Sequence, residues 1–383
     1  MRYFLSEDAV LKWIEIPSVY HIKTDELYEL DDESFEFLKN CSSETGGEAG
    51  ENVFLDYCLN EGILTQESIS YERPVPIKSP EPSLRYLELQ ITDKCNLKCR
   101  HCYIDRTGFS ELPVRTVRDV LREFEEMQGL RVLITGGEPL THGEFDELNR
   151  MLPEFRLRKV LFTNGLLLNK KTLKELKVDE IQISIDGLEE GHDSLRGKGA
   201  FRSTITAIRK AIDAGFEVSV ATMIHPRNLG DFDEMGRVFK DMGIKDWTVD
   251  APCIAGRLTD NAGLQISPDL AGKYLRHGYG SGLHAGSRDF ACGLHLVAVM
   301  ADGRISKCTF YADSPVGSIE DGLRECWGKI RPVRLDELAC DCRHIESCRG
   351  GCRYRAQLLG SPLGKDLYRC GLYDILEQES GKT

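Results

Sequence analysis

Cys95-Asn96-Leu97-Lys98-Cys99-Arg100-His101-Cys102-Tyr103 carries three cysteines at C-x3-C-x2-C spacing. Three thiolates on one short loop can hold three corners of a cubane iron–sulfur cluster, whose closed form uses four cysteines. No fourth cysteine follows before Cys253. The local sequence therefore leaves one iron without a protein ligand, and an open metal position is where a substrate or cosubstrate binds. A structural zinc knuckle and three core cysteines are the plainer alternatives. Zinc loops usually pair C-x2-C with a second ligand pair close by, and His101 is badly placed to close a site with its neighbours.

The remaining composition narrows the setting. The 383 residues suffice for two or three domains. Apolar residues at 41% and charged residues at 29% are ordinary for a globular protein. No apolar run approaches membrane-spanning length, so no membrane partner is expected. The first residues turn acidic at Glu7-Asp8, unlike a signal peptide, which leads us to expect a cytoplasmic protein. Thiols stay reduced there, so metal clusters explain the 14 cysteines better than disulfides do. Cys41, Cys58, Cys253 and Cys326 fall outside every motif and are expected to be packing residues. Residues 1–80 hold 17 acidic and 6 basic side chains, so −11 of the net −13 falls there. Such a surface argues against nucleic acid as a partner.

The chain opens with three expected strands: residues 9–16, Val19–Lys23 and Glu26–Leu30. Asp31 or Asp32 can cap a helix carrying Phe35, Phe37 and Leu38. A polar loop over 42–50 and a second helix near Val53–Leu59 follow. Residues 71–83 hold four prolines and read as a linker. From 84 to 251 strand and helix alternate. The expected strands are Leu87–Ile91, Arg131–Thr135, Lys159–Thr163, Glu180–Asp186, Glu217–Ile224 and Asp246–Asp250. The helix before Arg131 shows one apolar face: Val114, Val117, Val120, Leu121, Phe124 and Met127. Further helices are expected near Phe145–Leu152, Lys171–Leu176, Ile205–Ile212 and Asp231–Met242. Repeated β-α units imply a parallel sheet with helical crossovers, an α/β fold. Chemistry in such folds collects at the C-terminal strand ends. The cysteine loop follows the first strand, Gly136-Gly137-Glu138-Pro139 the second, Thr163-Asn164-Gly165 the third, and Ser184-Ile185-Asp186-Gly187 the fourth.

The cysteine loop with its following aromatic residue, and Gly-Gly-Glu-Pro one strand later, resemble radical S-adenosylmethionine (SAM) enzymes. The resemblance implies a partial (β/α)6 barrel, one SAM-binding 4Fe–4S cluster on Cys95, Cys99 and Cys102, and an electron donor of flavodoxin or ferredoxin type. It implies that SAM is cleaved to a 5′-deoxyadenosyl radical that abstracts hydrogen from a substrate. Gly136, Gly137, Glu138 and Pro139 would receive the ammonium of SAM's methionine. Ser184 would lie near its methionine or ribose, and Tyr103 would flank the adenine. Arg196 would pair with its carboxylate, for which a planar guanidinium is suited. His192 and Asp193 are expected to be local turn residues.

Past a connector over 252–285, cysteines resume. Cys292-x10-Gly303-x4-Cys308 brackets an expected hairpin turning at Asp302-Gly303. Cys340-x-Cys342-x5-Cys348-x3-Cys352 and Cys370 follow. This pattern resembles the SPASM extension, which holds two auxiliary 4Fe–4S clusters. Cys292, Cys308 and Cys352 would serve the nearer one, with a fourth position open or filled by a non-cysteine ligand. Cys340, Cys342, Cys348 and Cys370 would serve the outer one, although C-x-C replaces the usual C-x2-C at Cys340. Seven cysteines divide poorly into closed zinc sites. The first strands and helices resemble small winged-helix precursor-recognition domains of peptide-modifying pathways, a structural extension being the alternative. We thus expect a winged-helix-like unit with its linker over 1–80, a radical SAM core over 81–285 and a SPASM domain over 286–383. The expected function is radical modification of a peptide or protein substrate. The alternative is modification of a tetrapyrrole or other cofactor precursor, as in haem or pyrroloquinoline quinone synthesis.

Overall fold

The computed structural model describes residues 1–50, 52–68, 73, 75–104, 109–280, 282, 289–291 and 295–375. The chain begins with β1 (Arg2–Leu5), β2 (Ala9–Trp13), β3 (Pro17–His21), β4 (Glu26–Glu29) and α1 (Asp32–Cys41). Then come β5 (Gly47–Glu48), α2 (Val53–Asn60) and β6 (Leu64–Thr65). β2, β3 and β4 form one antiparallel sheet, and β1 lies between β5 and β6 in another. Tyr3, Leu5, Val19, Phe35 and Leu38 meet in a core of their own. Asp31 caps α1, its carboxylate accepting from the Ser34 N–H at 2.7 Å. β1, β5 and β6 were not expected. The strand expected over 9–16 ends at Trp13, because Glu15 turns away to accept from Ser83 N–H and Arg85.

Six parallel strands follow in the spatial order of the chain: β7 (Tyr86–Thr92), β8 (Arg131–Gly136), β9 (Arg158–Thr163), β10 (Glu180–Ser184), β11 (Glu217–Met223) and β12 (Trp247–Asp250). The crossovers are α3 (Val114–Glu126), α4 (Phe145–Met151), α5 (Lys170–Glu175), α6 (Glu189–Arg196), α7 (Ala200–Asp213) and α8 (Phe232–Asp241). α3 buries Val117, Val120, Leu121 and Phe124 on the sheet. Each such side chain contributes roughly 1.5–3 kcal/mol. The helix α6 corrects the expectation that His192 and Asp193 lie in a turn. They are helical, and Arg196 ends that helix.

The first residues of β8 to β11 are Arg131, Arg158, Glu180 and Glu217. They form a buried ionic ladder across the base of the sheet. Arg158 bonds Glu180 at 2.9 Å and also pairs with Glu217. Asp25, at the β3–β4 hairpin tip with φ +65°, enters this ladder by pairing with Arg131 (2.8 Å) and Arg158. Buried Lys12 donates to the Gly129 carbonyl at 2.7 Å. The N-terminal unit therefore docks at the strand starts, opposite the loops that carry the motifs.

Beyond α9 (Pro268–Leu275), the sheet gains a strand on its other edge. β13 (Leu296–Val299) runs parallel to β7, and β14 (Arg304–Ser306) and β15 (Gly317–Ser318) extend it antiparallel. Gly303 makes the β13–β14 turn at φ +83°, as its sequence implied. Short helices complete the chain: α10 (Leu323–Lys329), α11 (Ile345–Cys348), α12 (Arg353–Leu358) and α13 (Leu367–Leu372). Among the described residues no helix is long and apolar enough to cross a membrane.

Candidate active site

The cysteine loop leaves the C-terminal end of β7 and is held by the two neighbouring turns. Gly137 N–H donates to Thr92 O and Glu138 N–H to Lys94 O, each at 2.8 Å. A Cβ on Gly137 would sit 2.3 Å from Lys94 O and 2.6 Å from Asp93 O, so only glycine permits this approach. Glu138 is fully buried and accepts from Thr163 Oγ1 and Asn164 N–H, both at 2.8 Å. Burial pushes its carboxyl up to about 7 despite these donors. Asn164 Nδ2 in turn donates to Asn96 Oδ1 inside the loop at 2.7 Å. Pro139 opens a single 3-10 turn after Glu138.

Cys95, Cys99 and Cys102 neighbour one another electrostatically, with Arg196 beside Cys95 and Cys99. Burial pushes the Cys99 thiol up to about 11. Among the described residues no three His, Cys, Asp or Glu side chains converge on a point as for a single ion. An all-thiol donor set on one loop suits a cluster, which takes each thiolate on a different iron. The Nδ1 of buried His101 has no hydrogen-bond partner among the described residues, leaving a polar atom available beside that loop.

Arg196 and Asp186 meet under this loop. Arg196 Nε donates to Asp186 Oδ2 at 2.6 Å, and both side chains are buried. Burial would raise the Asp186 carboxyl, but Arg196 and His101 hold it well below the usual range. Asp186 Oδ1 also accepts from Met223 N–H at 2.8 Å. Arg196 Nη2 approaches His101 Nε2 at 3.5 Å, and Nη1 has no partner among the described residues. Burial lowers the His101 imidazole to about 4, so it is neutral at pH 7.

Two cavities share a wall. One of about 180 Å³ is lined by His101, Ser184, Arg196 and Cys253. The other, about 260 Å³, is lined by Gln90, Thr309, Asp313 and Tyr354. Tyr103 and Phe310 line both, their rings 5.4 Å apart, and Phe310 stacks on Tyr354 at 5.5 Å. Cys340, Cys342, Cys348 and Cys370 neighbour one another farther along the chain. Cys308 and Cys352 both flank Tyr354. Cys292 lies outside the described residues.

The radical SAM superfamily domain matches residues 89–239, from β7 into α8. The match holds the cysteine loop, both glycine turns, Ser184 and Arg196 in one segment. Residues 89–239 therefore carry a radical SAM domain. The mycofactocin maturase MftC of Mycobacterium tuberculosis is 28% identical over 316 residues, 72% of this chain and 80% of that one. The AdoMet-dependent heme synthase of Oleidesulfovibrio alaskensis is 29% identical over 184 residues, so the match spans 46% of this chain and about half (47%) of that relative. The structure of Streptococcus suis SuiB bound to S-adenosylmethionine has the same fold, with a TM-score of 0.66 at 17% identity over 94% of this chain and 98% of that one. The radical SAM superfamily implies a 4Fe–4S cluster and SAM.

Sequence reasoning gave Asp186 no role, although Ser184-Ile185-Asp186-Gly187 was singled out. Its placement depends on β11, whose Met223 arrives from 37 residues away. Asn96 was equally silent, because its partner Asn164 comes from the third strand. Cys253, expected to be a packing residue, is buried and lines the smaller cavity.

Proposed function

We propose that this radical SAM enzyme matures a peptide, with SAM bound in the smaller cavity and the substrate in the larger one. Cys95, Cys99 and Cys102 would hold the SAM-binding cluster, and the SPASM cysteines two auxiliary clusters. Cluster and SAM together supply a hydrogen-abstracting 5′-deoxyadenosyl radical. The chain's own residues bind and orient. Arg196 offers Nη1 to a carboxylate while Asp186 fixes its other edge, which makes Asp186 a positioning residue. The Gly136–Pro139 turn would present backbone to an ammonium, and Ser184 lines the smaller cavity together with Arg196. Tyr103 and Phe310 separate the adenosyl end from the substrate and keep water from the space between. An electron donor of flavodoxin or ferredoxin type would serve the cluster.

The observation that carries the peptide reading is extent. The similarity to the maturase MftC covers 72% of the chain, and the likeness to SuiB, also solved with its precursor peptide SuiA, runs through the N-terminal unit. The heme synthase match covers 46%. In the N-terminal unit, the outer edge of β4 has no strand partner among the described residues. Such an edge can pair an extended peptide, and the surrounding carboxylates favour a basic one.

The test uses the full chain, because deleting the N-terminal unit would take Asp25 from Arg131 and Arg158. Every second backbone N–H of β4 points to the free edge, and the pairing of Leu30 N–H with Pro17 O puts Glu29 among them. Glu29→Pro should leave SAM cleavage intact and lower modification of the precursor peptide at least tenfold. Equal modification by both proteins would reject the edge, and turnover of a tetrapyrrole but no peptide would reject the substrate class.

A further inference from the structure

Side chains alternate between the two faces of β7. Leu87, Leu89 and Ile91 pack in the core with α3. Glu88, Gln90 and Thr92 share the other face, and two of these three are satisfied. Glu88 accepts from Thr309 N–H at 2.9 Å, and Thr92 Oγ1 donates to Glu111 at 3.0 Å. Gln90, between them, has no hydrogen-bond partner for its side-chain amide among the described residues. It is only 2% exposed, and it lines the larger cavity of about 260 Å³. A buried amide costs free energy unless it is bonded, and native structures leave few such groups idle. Gln90 therefore brings to the cavity a donor and an acceptor that no neighbour uses.

The other lining residues narrow what can meet it. Thr259, Thr309 and Tyr354 add hydroxyls, and Asp313 adds a carboxylate. Among the described residues no Lys, Arg or His lines the cavity. The carboxylates of a tetrapyrrole would find no cation there, and one like charge. A peptide backbone carries no charge and matches the amide. A glutamine side chain presents a C=O acceptor beside an N–H donor. In an extended chain the N–H and C=O of one residue point to the same side, which is how paired strands exchange two bonds between two residues. One glutamine can thus satisfy both backbone groups of one residue at once.

We propose that Gln90 grips the substrate backbone in the larger cavity, its oxygen accepting the N–H and its nitrogen donating to the C=O of a single residue. The inference rests on the reading that this cavity receives a peptide, and it names the group that recognises it as one. Recognition through the backbone leaves the side chain of the gripped residue unread. It fixes the position and rotation of the chain, so the modified residue lies a set number of positions from the gripped one.

The test uses the full, cluster-loaded chain and the precursor peptide, made synthetically with each backbone amide near the modified residue replaced in turn by an ester. An ester removes one N–H, weakens the adjoining C=O as an acceptor and keeps every side chain. At one position it should raise the KM of the wild-type enzyme about tenfold. Gln90→Met keeps the length of the side chain without its amide. It should raise KM for the all-amide peptide by a similar factor and show no further loss with that ester, because the partner is gone. Gln90→Glu keeps an acceptor and should retain the ester effect. Iron content equal to wild type identifies each variant as loaded. Gln90→Met should also keep its thermal midpoint, because an amide with no partner inside the protein does not support the fold. A fall of more than about 3 °C would place those bonds inside the protein and overturn the proposal. So would an ester profile that is the same in wild type and Gln90→Met, or a wild-type profile with no sensitive position. A wild-type enzyme that turns over a tetrapyrrole and no peptide would overturn the peptide reading itself, and the grip with it.

Discussion

Replacing Asp186 by Asn removes one charge and little else. The amide keeps an oxygen for Met223 N–H, now at 2.8 Å, but must present either an N–H or a weaker acceptor to Arg196 Nε, now at 2.6 Å from a carboxylate. The side chains of Asp186 and Arg196 are 1% and 11% exposed, so solvent cannot take over the lost partner. Breaking a buried pair by removing one member costs about 3–5 kcal/mol, most of it from the stranded charge. Arg196→Gln strands the carboxylate in the same way. The double variant strands neither, so its cost should fall short of the sum of the two by about 2–3 kcal/mol. Hydrogen exchange of the β10 and β11 amides measures this as a local opening free energy, without requiring the whole chain to unfold in one step. Single variants that cost less than about 1 kcal/mol, with effects additive to about 0.5 kcal/mol, would refute the pairing as the element that fixes Arg196. In the cluster-loaded enzyme, Asp186→Asn should also weaken SAM binding, read by titration.

Gly137→Ala should impair assembly of the SAM-binding cluster, because the added methyl meets backbone oxygens of the cysteine loop at 2.3 and 2.6 Å; iron equal to wild type with full 5′-deoxyadenosine release would contradict this. Burial lowers Lys12 from 10.5 to about 8, partly opposed by Glu125. Between these values the unfolded chain binds the extra proton, so stability should rise from about pH 8 to pH 10.5 by on the order of 3 kcal/mol. Lys12→Met should remove that rise in urea unfolding curves, and equal slopes in both proteins would exclude Lys12 as its source.

What the sequence disclosed followed chain proximity. The cysteine loop, the glycine turns and the β-α alternation are each written within a few residues, so the six parallel strands and the motif-bearing ends could be read directly. Pairing between distant segments could not. β1 is a four-residue strand whose partners are two-residue strands 42 and more positions away, too short to leave an alternation. β13 was legible as half of a hairpin, but nothing local says that it joins β7. α6 reads Glu-Glu-Gly-His-Asp-Ser-Leu-Arg, with few apolar residues and an internal glycine, and is made helical by Gly191 and His192 packing inward.

The Asp25 anchor also sets a length. It places the start of β4 at the base of the sheet, whereas the cavities open at the top. β9 climbs from Arg158 at the base to Thr163 beneath the Glu138 turn in five residue steps, a rise of about 17 Å. A peptide paired with β4 is itself extended and gains the same rise per residue. It must therefore place at least about five residues between the paired segment and the residue to be modified, and more to pass the helices outside the sheet. A shorter substrate could occupy the edge or the cavity, but not both at once. Extra length costs little, since loop closure grows only logarithmically with residue number. The enzyme would thus select substrates by a minimum spacer as well as by side chains, and tolerate variation above that minimum.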